Sequence, residues 1–163
     1  MFYLDLFNAL EQHRVRYLLV GGLAMNLHGV PRMTMDVDIV MALDSENRDA
    51  FLAAARALGL NPVAPIALTD LFDAEKRREW GRTKNMIVFA LRPRDVQGPT
   101  VDVLIEPDLD VEEALARVVW REVQGIRIPL ASIEDLIRLK ENTGRAQDQA
   151  DIEHLQRVAK KPL

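Results

Sequence analysis

The segment Asp36-Val37-Asp38-Ile39-Val40-Met41-Ala42-Leu43 sets the tightest limit on what this chain can fold into. It begins in polar–apolar alternation and then turns wholly apolar, which reads as a β-strand with a carboxylate-bearing end and a buried far end. Residues two apart on a strand share a face, so the two carboxylates stand side by side, roughly 6–7 Å apart at Cα. Unpaired, they repel and lose solvation. Water at an open strand end relieves that, and so does a cation. Hard divalent ions such as Mg²⁺ take carboxylate oxygen and share their shell with substrate phosphates. This segment alone leaves both explanations open.

The neighbouring stretches supply a setting for such a strand. Residues 2–13 place Phe2, Leu6, Ala9 and Leu10 at helical spacing. The run Tyr17-Leu18-Leu19-Val20 stops at Gly21-Gly22, as a buried strand does on meeting a tight turn, and residues 23–28 read as a short helix ending at Gly29 with Pro31 beyond. Ser45 is expected to cap a helix reaching Leu58 and closed by Gly59. Residues 86–91 and 101–105 are strands parted by a turn region over 93–99, and 118–128 form a hairpin turning near Gln124-Gly125. Ser132-Ile133-Glu134-Asp135 is a capping-type start for a helix carrying Leu136, Ile137 and Leu139, with Gly144 as its stop. A last helix covers about 147–159. The expected fold class is α/β of the α+β type: a mixed central β-sheet flanked by helices, with a helical C-terminal part.

Length and composition narrow the field further. At 163 residues with no repeat or low-complexity tract, the chain is expected to form a single domain over 1–163, with a sheet-containing core over 1–130 and C-terminal helices over 131–163. The absence of cysteine excludes structural disulfides, thiol nucleophiles and Cys-ligated zinc, and three histidines make no zinc site. No basic, apolar leader opens the sequence and no run approaches the roughly 18 apolar residues of a membrane helix, so no membrane partner is expected and the cytoplasm is the default compartment. A formal charge of −4 argues against bulk electrostatic coating of nucleic acid. The densest basic cluster, Lys76, Arg77, Arg78, Arg82 and Lys84, reads as a solvated helix face or loop, or as a loop that meets a phosphate backbone or stacks Trp80 on a base, although a single Trp in such a loop is more often packing.

Two further features bear on chemistry. Glycines at 21 and 22, between strand and helix, let backbone approach a phosphate closely, though many Gly-Gly pairs are merely turns. Asp102 interrupts the apolar run Val101 to Ile105. A carboxylate there is costly to bury unpaired, so it is either satisfied by hydrogen bonds or brought beside the Asp36–Asp38 pair by strand pairing.

Together, Gly21-Gly22, Asp36-Val37-Asp38 and Asp102 resemble the nucleotidyltransferase superfamily with its polymerase-beta-like fold. Within it, Val20 to Gly29 followed by Arg32, Thr34 and Asp36 is similar to the small AbiEii-like toxin group, as are the stretch 132–140 and Arg145, Asp148, Asp151 and Ile152. The resemblance implies an Mg²⁺-dependent enzyme, with two ions and Mn²⁺ able to substitute, that moves a nucleoside monophosphate from a nucleoside triphosphate, ATP included, to a hydroxyl. It implies Asp36, Asp38 and Asp102 as metal ligands and catalytic residues, with Asp102 completing the nucleophile-side metal or acting as base. Nucleotide-binding positions would be Gly21, Gly22, Arg32, Thr34 and Lys140. Arg32 is alternatively a partner for one of the strand carboxylates, and Lys140 alternatively a surface residue. Asp148 and Asp151, three apart on a helix, would position Lys140 or Arg145 or form a plain ion-pair network. Relatives often carry a basic residue just before the first of these acids, where this chain has Gln147. His28 reads as structural. The implied acceptor is RNA or a tRNA end, a protein hydroxyl, or a small molecule such as an aminoglycoside or lincosamide, and a cognate antitoxin is the implied protein partner. The alternative is a non-catalytic nucleotide- or partner-binding module on the same fold.

Overall fold

A computed structural model describes residues 2–94, 97–141 and 143–161. Helix α1 (Phe2–Gln12) leads into β1 (Tyr17–Val20), α2 (Gly21–Leu27) and β2 (Val37–Met41), and then α3 (Ser45–Leu58) and the short β3 (Leu60–Pro62). A 3-10 turn (Leu68–Phe72) and α4 (Ala74–Lys84) precede β4 (Val88–Pro93) and β5 (Val101–Leu104). The chain then runs through α5 (Val111–Ala116), the hairpin β6 (Val119–Val123) and β7 (Ile126–Leu130), α6 (Ile133–Lys140) and α7 (Ala146–Ala159).

One mixed sheet carries all seven described strands in the order β3-β4-β5-β2-β1-β7-β6. β2 lies near its middle, antiparallel to β1 and parallel to β5. This explains its composition: from Ile39 to Met41 the strand is covered on both faces and every side chain is buried. Leu6, Leu10, Leu18, Phe51, Phe89 and Leu155 come from elements across the chain and join one apolar cluster around the sheet.

Local signals explain most boundaries. The α3 cap is Asp44, not the expected Ser45; the Asp44 carboxylate accepts the Asn47 amide at 2.8 Å, and Ser45 opens the helix proper. Gly59 closes it in the left-handed conformation with φ 66°. Gln124 and Gly125 have φ of 49° and 80°, as a two-residue turn needs if its twist is to match the flanking strands. Ser132 caps α6 as expected by accepting the Asp135 amide at 3.1 Å. The Asp135 carboxylate, however, turns to Arg117, which grips it with two bonds of 2.9 and 3.0 Å.

The basic stretch 70–84 is corrected by the fold. It is a 3-10 turn and a helix, not a loop, and Trp80 is buried with its ring centroid 5.8 Å from that of Phe89. The indole is core, so it is not available for stacking on a base. β3 and α5 were absent from the sequence reading, being too short for periodicity to register. The expected turn over 93–99 includes positions 95 and 96, which lie outside the described residues.

Candidate active site

The parallel pairing of β2 and β5 puts Asp38 directly opposite Asp102. That register is the central fact of the site, because it turns two acids 64 positions apart in the chain into cross-strand neighbours on one face. Asp36 sits just before β2 on the exposed side, where its Oδ1 accepts the Thr100 backbone amide at 3.0 Å. Thr100 also donates its hydroxyl to Asp102 Oδ1 at 2.7 Å, so this one residue organises both acids. Sequence reasoning did not single Thr100 out. Its position two before Asp102 on the same strand face was the available signal.

Gly21 is the floor under Asp38. Its φ is +72°, and a Cβ built there would stand 2.1 Å from Asp38 Oδ2. Gly22 is closed off by Thr34, whose Cβ lies 2.9 Å from where a glycine Cβ would be. Both glycines are therefore required by close approach of a side chain, and the first also by its backbone conformation.

Burial, together with the negative charges of Asp102 and Asp36, pushes the Asp38 carboxyl up to about 7, against a pull from Lys140. Asp102 is also raised, chiefly by burial, while the Thr100 hydroxyl works in the opposite direction. Two half-buried carboxylates in this state form a site short of positive charge.

Lys140 supplies cationic character from α6 but is already engaged. With 14% of its side chain exposed, it reaches Asp148 at 3.3 Å and Asp151 at 2.9 Å on α7. Arg145 donates to Asp148 at 2.7 Å, and Thr143 to the same oxygen at 2.8 Å. Desolvation alone would raise both acids, but these donors outweigh it, and Asp148 and Asp151 are held below the ordinary carboxylate range. A recess of about 170 Å³ brings Val20, Gly21, Asp38, Lys140, Arg145 and Asp148 around one space.

Arg32 has a partner that the sequence did not suggest. Its Nε donates to Asp151 at 3.2 Å, which ties the loop before β2 to α7. Thr34 packs over Gly22 and donates to the Asp36 carbonyl at 3.3 Å. Gln147, where relatives often carry a basic residue, donates to Asp151 at 3.1 Å. His28 is structural as read: it is buried, with Nε2 2.8 Å from the Ala131 carbonyl. Among the described residues no group of three or more acidic or imidazole side chains is already drawn together as a closed metal cage.

The Nucleotidyl transferase AbiEii toxin family of type IV toxin–antitoxin systems matches this chain over residues 4–140. The chain belongs to that family. It is a nucleotidyltransferase by this membership, in a family whose members act on nucleotides and are countered by antitoxins. Enzymes of this kind generally use divalent metals.

Among curated proteins none matches the sequence. Solved structures match in fold. A lincosamide antibiotic adenylyltransferase, LnuA, with lincomycin bound, aligns at 15% identity and TM-score 0.55, covering 96% of this chain and 94% of that one. ANT(2″)-Ia in complex with adenylyl-2″-tobramycin aligns at 14% identity and TM-score 0.53, covering 97% and 91%. An antigenic nucleotidyltransferase-like protein from Paracoccidioides brasiliensis aligns at 19% identity and TM-score 0.53, covering 94% and 71%. This AbiEii-family chain thus has the nucleotidyltransferase fold, and among its described residues no helix is long and apolar enough to cross a membrane.

Proposed function

We propose that this AbiEii-family protein transfers a nucleoside monophosphate from a nucleoside triphosphate, ATP included, to a hydroxyl on RNA, protein or a small molecule, as the toxin of a toxin–antitoxin pair. The observation that carries the reading is Asp38 and Asp102 in register over Gly21, with Lys140 beside them. Mg²⁺ suits this donor set. The ligands are all carboxylate oxygens, burial first and then the charge of neighbouring acids raise Asp38 and Asp102, and Lys140 beside them is already bound to Asp148 and Asp151.

Asp36, Asp38 and Asp102 would hold the metal, two ions in all. Bound there, it would supply charge stabilisation at phosphorus and a lowered pKa for the acceptor hydroxyl. Gly21 and Gly22 bring backbone close to the phosphates, with no side chain in the way. Lys140, held by Asp148 and Asp151, faces the triphosphate as a fixed positive charge. In the transfer the acceptor oxygen bonds to the α-phosphorus as the bond from that phosphorus to the bridging oxygen breaks. Pyrophosphate leaves, and Asp102 takes the hydroxyl proton. Arg32 and Thr34, the other proposed nucleotide-binding positions, shape the loop that presents Asp36, Arg32 through Asp151 and Thr34 by packing over Gly22.

Label transfer tests the reading. Purified protein with each α-³²P nucleoside triphosphate, Mg²⁺ and total cellular RNA or protein should yield a labelled product that the Asp36→Ala/Asp38→Ala variant does not make. No label in any mixture, with nucleotide binding intact, would overturn transfer to a macromolecule and leave only a narrow small-molecule acceptor or a binding module.

A further inference from the structure

Two of the three candidate metal ligands are held by one neighbour. Thr100 stands immediately before β5 and behind Pro99, whose ring fixes its own φ. Its backbone is locked to the start of β2. The amide donates to Asp36 Oδ1 at 3.0 Å, and the carbonyl accepts the Val37 amide at 2.9 Å. Its hydroxyl donates to Asp102 Oδ1 at 2.7 Å, the short length of a hydroxyl bonded to a charged acceptor.

The two backbone bonds would survive any side chain here except proline. The hydroxyl bond would not. A β-branched residue suits the opening of a strand, but valine has that shape as well, so strand propensity alone does not call for threonine. Nor does the sheet need the hydroxyl, because the register at this point is already set by the pairs Val37–Val101 and Asp38–Asp102. What the hydroxyl fixes is the direction of the Asp102 carboxylate. Asp102 lies opposite Asp38, and a carboxylate without a donor is free to turn among its staggered positions. With Oδ1 of Asp36 and Oδ1 of Asp102 both drawn to Thr100, the two carboxylates are fixed relative to each other.

We infer that Thr100 is a positioning residue for the metal seat: its amide holds Asp36 Oδ1 and its hydroxyl holds Asp102 Oδ1, so that the remaining oxygens of both acids are presented together to the cation. The inference rests on the transfer reaction proposed above, and in it Thr100 acts only through the two acids. Removing a hydrogen-bond partner of a ligating carboxylate costs roughly 10–100-fold in metal affinity or activity.

The test titrates the full chain with Mn²⁺, followed by loss of the free-ion EPR signal, and measures label transfer alongside. Thr100→Val should weaken Mn²⁺ binding about tenfold, the low end of that range, because the amide bond to Asp36 persists. It should slow label transfer at saturating nucleotide about tenfold while KM for the nucleotide changes less than about threefold. Thr100→Ala should behave as Thr100→Val does, and Thr100→Ser, which keeps the hydroxyl, should stay within about threefold of wild type on both measurements. Thermal unfolding of each metal-free variant checks that it folds. Wild-type affinity and rate in the valine and alanine variants would overturn the inference and leave the transfer reaction standing. So would a serine variant as weak as the valine one, since that would make side-chain shape the cause. Mn²⁺ binding that is absent from wild type, or that survives Asp36→Ala/Asp38→Ala, would overturn the inference and the metal-dependent reading together.

Discussion

At the residue scale, the site is built from exclusions as much as from contacts. Gly21 is required twice over, by its positive φ and by the Asp38 carboxylate occupying the place of a side chain. Gly21→Ala should therefore destabilise the protein by about 1–3 kcal/mol, read from urea unfolding, and abolish label transfer because Asp38 must move aside. Gly22→Ala meets Cβ of Thr34 instead, a side chain of the loop before β2 and not a candidate metal ligand, at a glycine without a positive φ, and should cost less. If Gly21→Ala kept full activity, the close packing of Asp38 on Gly21 would have no part in catalysis. The glycine pair and the acid pair were both visible in the sequence, because each is a local pattern of two or three residues. That each glycine is matched to a particular side chain, Asp38 or Thr34, was not, since those contacts reach across 12 to 17 positions.

At the scale of elements, α6 and α7 act as a clasp. Lys140 brings one positive charge between two acids that are 7% and 1% exposed, and Arg32 reaches over from the loop before β2 to the second of them. Removing the lysine leaves buried carboxylates under-compensated. Lys140→Met should cost about 3 kcal/mol, the low end for breaking a buried pair, because Arg32, Arg145, Thr143 and Gln147 still contact the acids. Lys140→Arg should recover most of that stability but not full transfer, since a planar guanidinium places its charge differently. Urea unfolding together with label transfer on both variants checks this. Equal stability of Lys140→Met and wild type would show that the acids do not need Lys140. The i, i+3 spacing of Asp148 and Asp151 already suggested a shared face and a basic partner. Lys140 and Arg145 were the two bases the sequence offered, and both contact Asp148; that Arg32 also reaches Asp151 depended on how α7 lies against the loop before β2, which no local pattern encodes.

At the scale of the whole molecule, the sheet order places like charges together, and this has a consequence for pH. Asp38 titrates near 7 in the fold, against an ordinary 3.8. Between those values the folded chain holds more protons than the unfolded one, so the metal-free protein should lose stability as pH rises from about 4 to about 7. A cation needs the ionised carboxylates. Mg²⁺ should thus raise the melting temperature more at about pH 8 than at about pH 5, a difference that Asp38→Asn removes. Thermal unfolding at both pH values, with and without Mg²⁺, measures it. An Mg²⁺ effect that is equal at the two pH values would argue against metal at Asp38.

The sequence alone determined the strand and helix alternation, the glycine turn, the acid pair and the family resemblance, because hydrophobic period, turn chemistry and short motifs are properties of neighbouring residues. It failed for β3, α5 and the 70–84 segment, where short length or a mainly charged surface hides the period. Trp80 shows the reason most clearly: its charged neighbours left stacking on a base and packing both open, and only the fold, by setting it on Phe89, decided for packing. What the tertiary structure decided was pairing. The β2–β5 register sets Asp102 against Asp38, and α7 gives Lys140 its acids. Each of these joins residues distant in the chain, and their proximity is a product of the whole packed fold rather than of any segment within it.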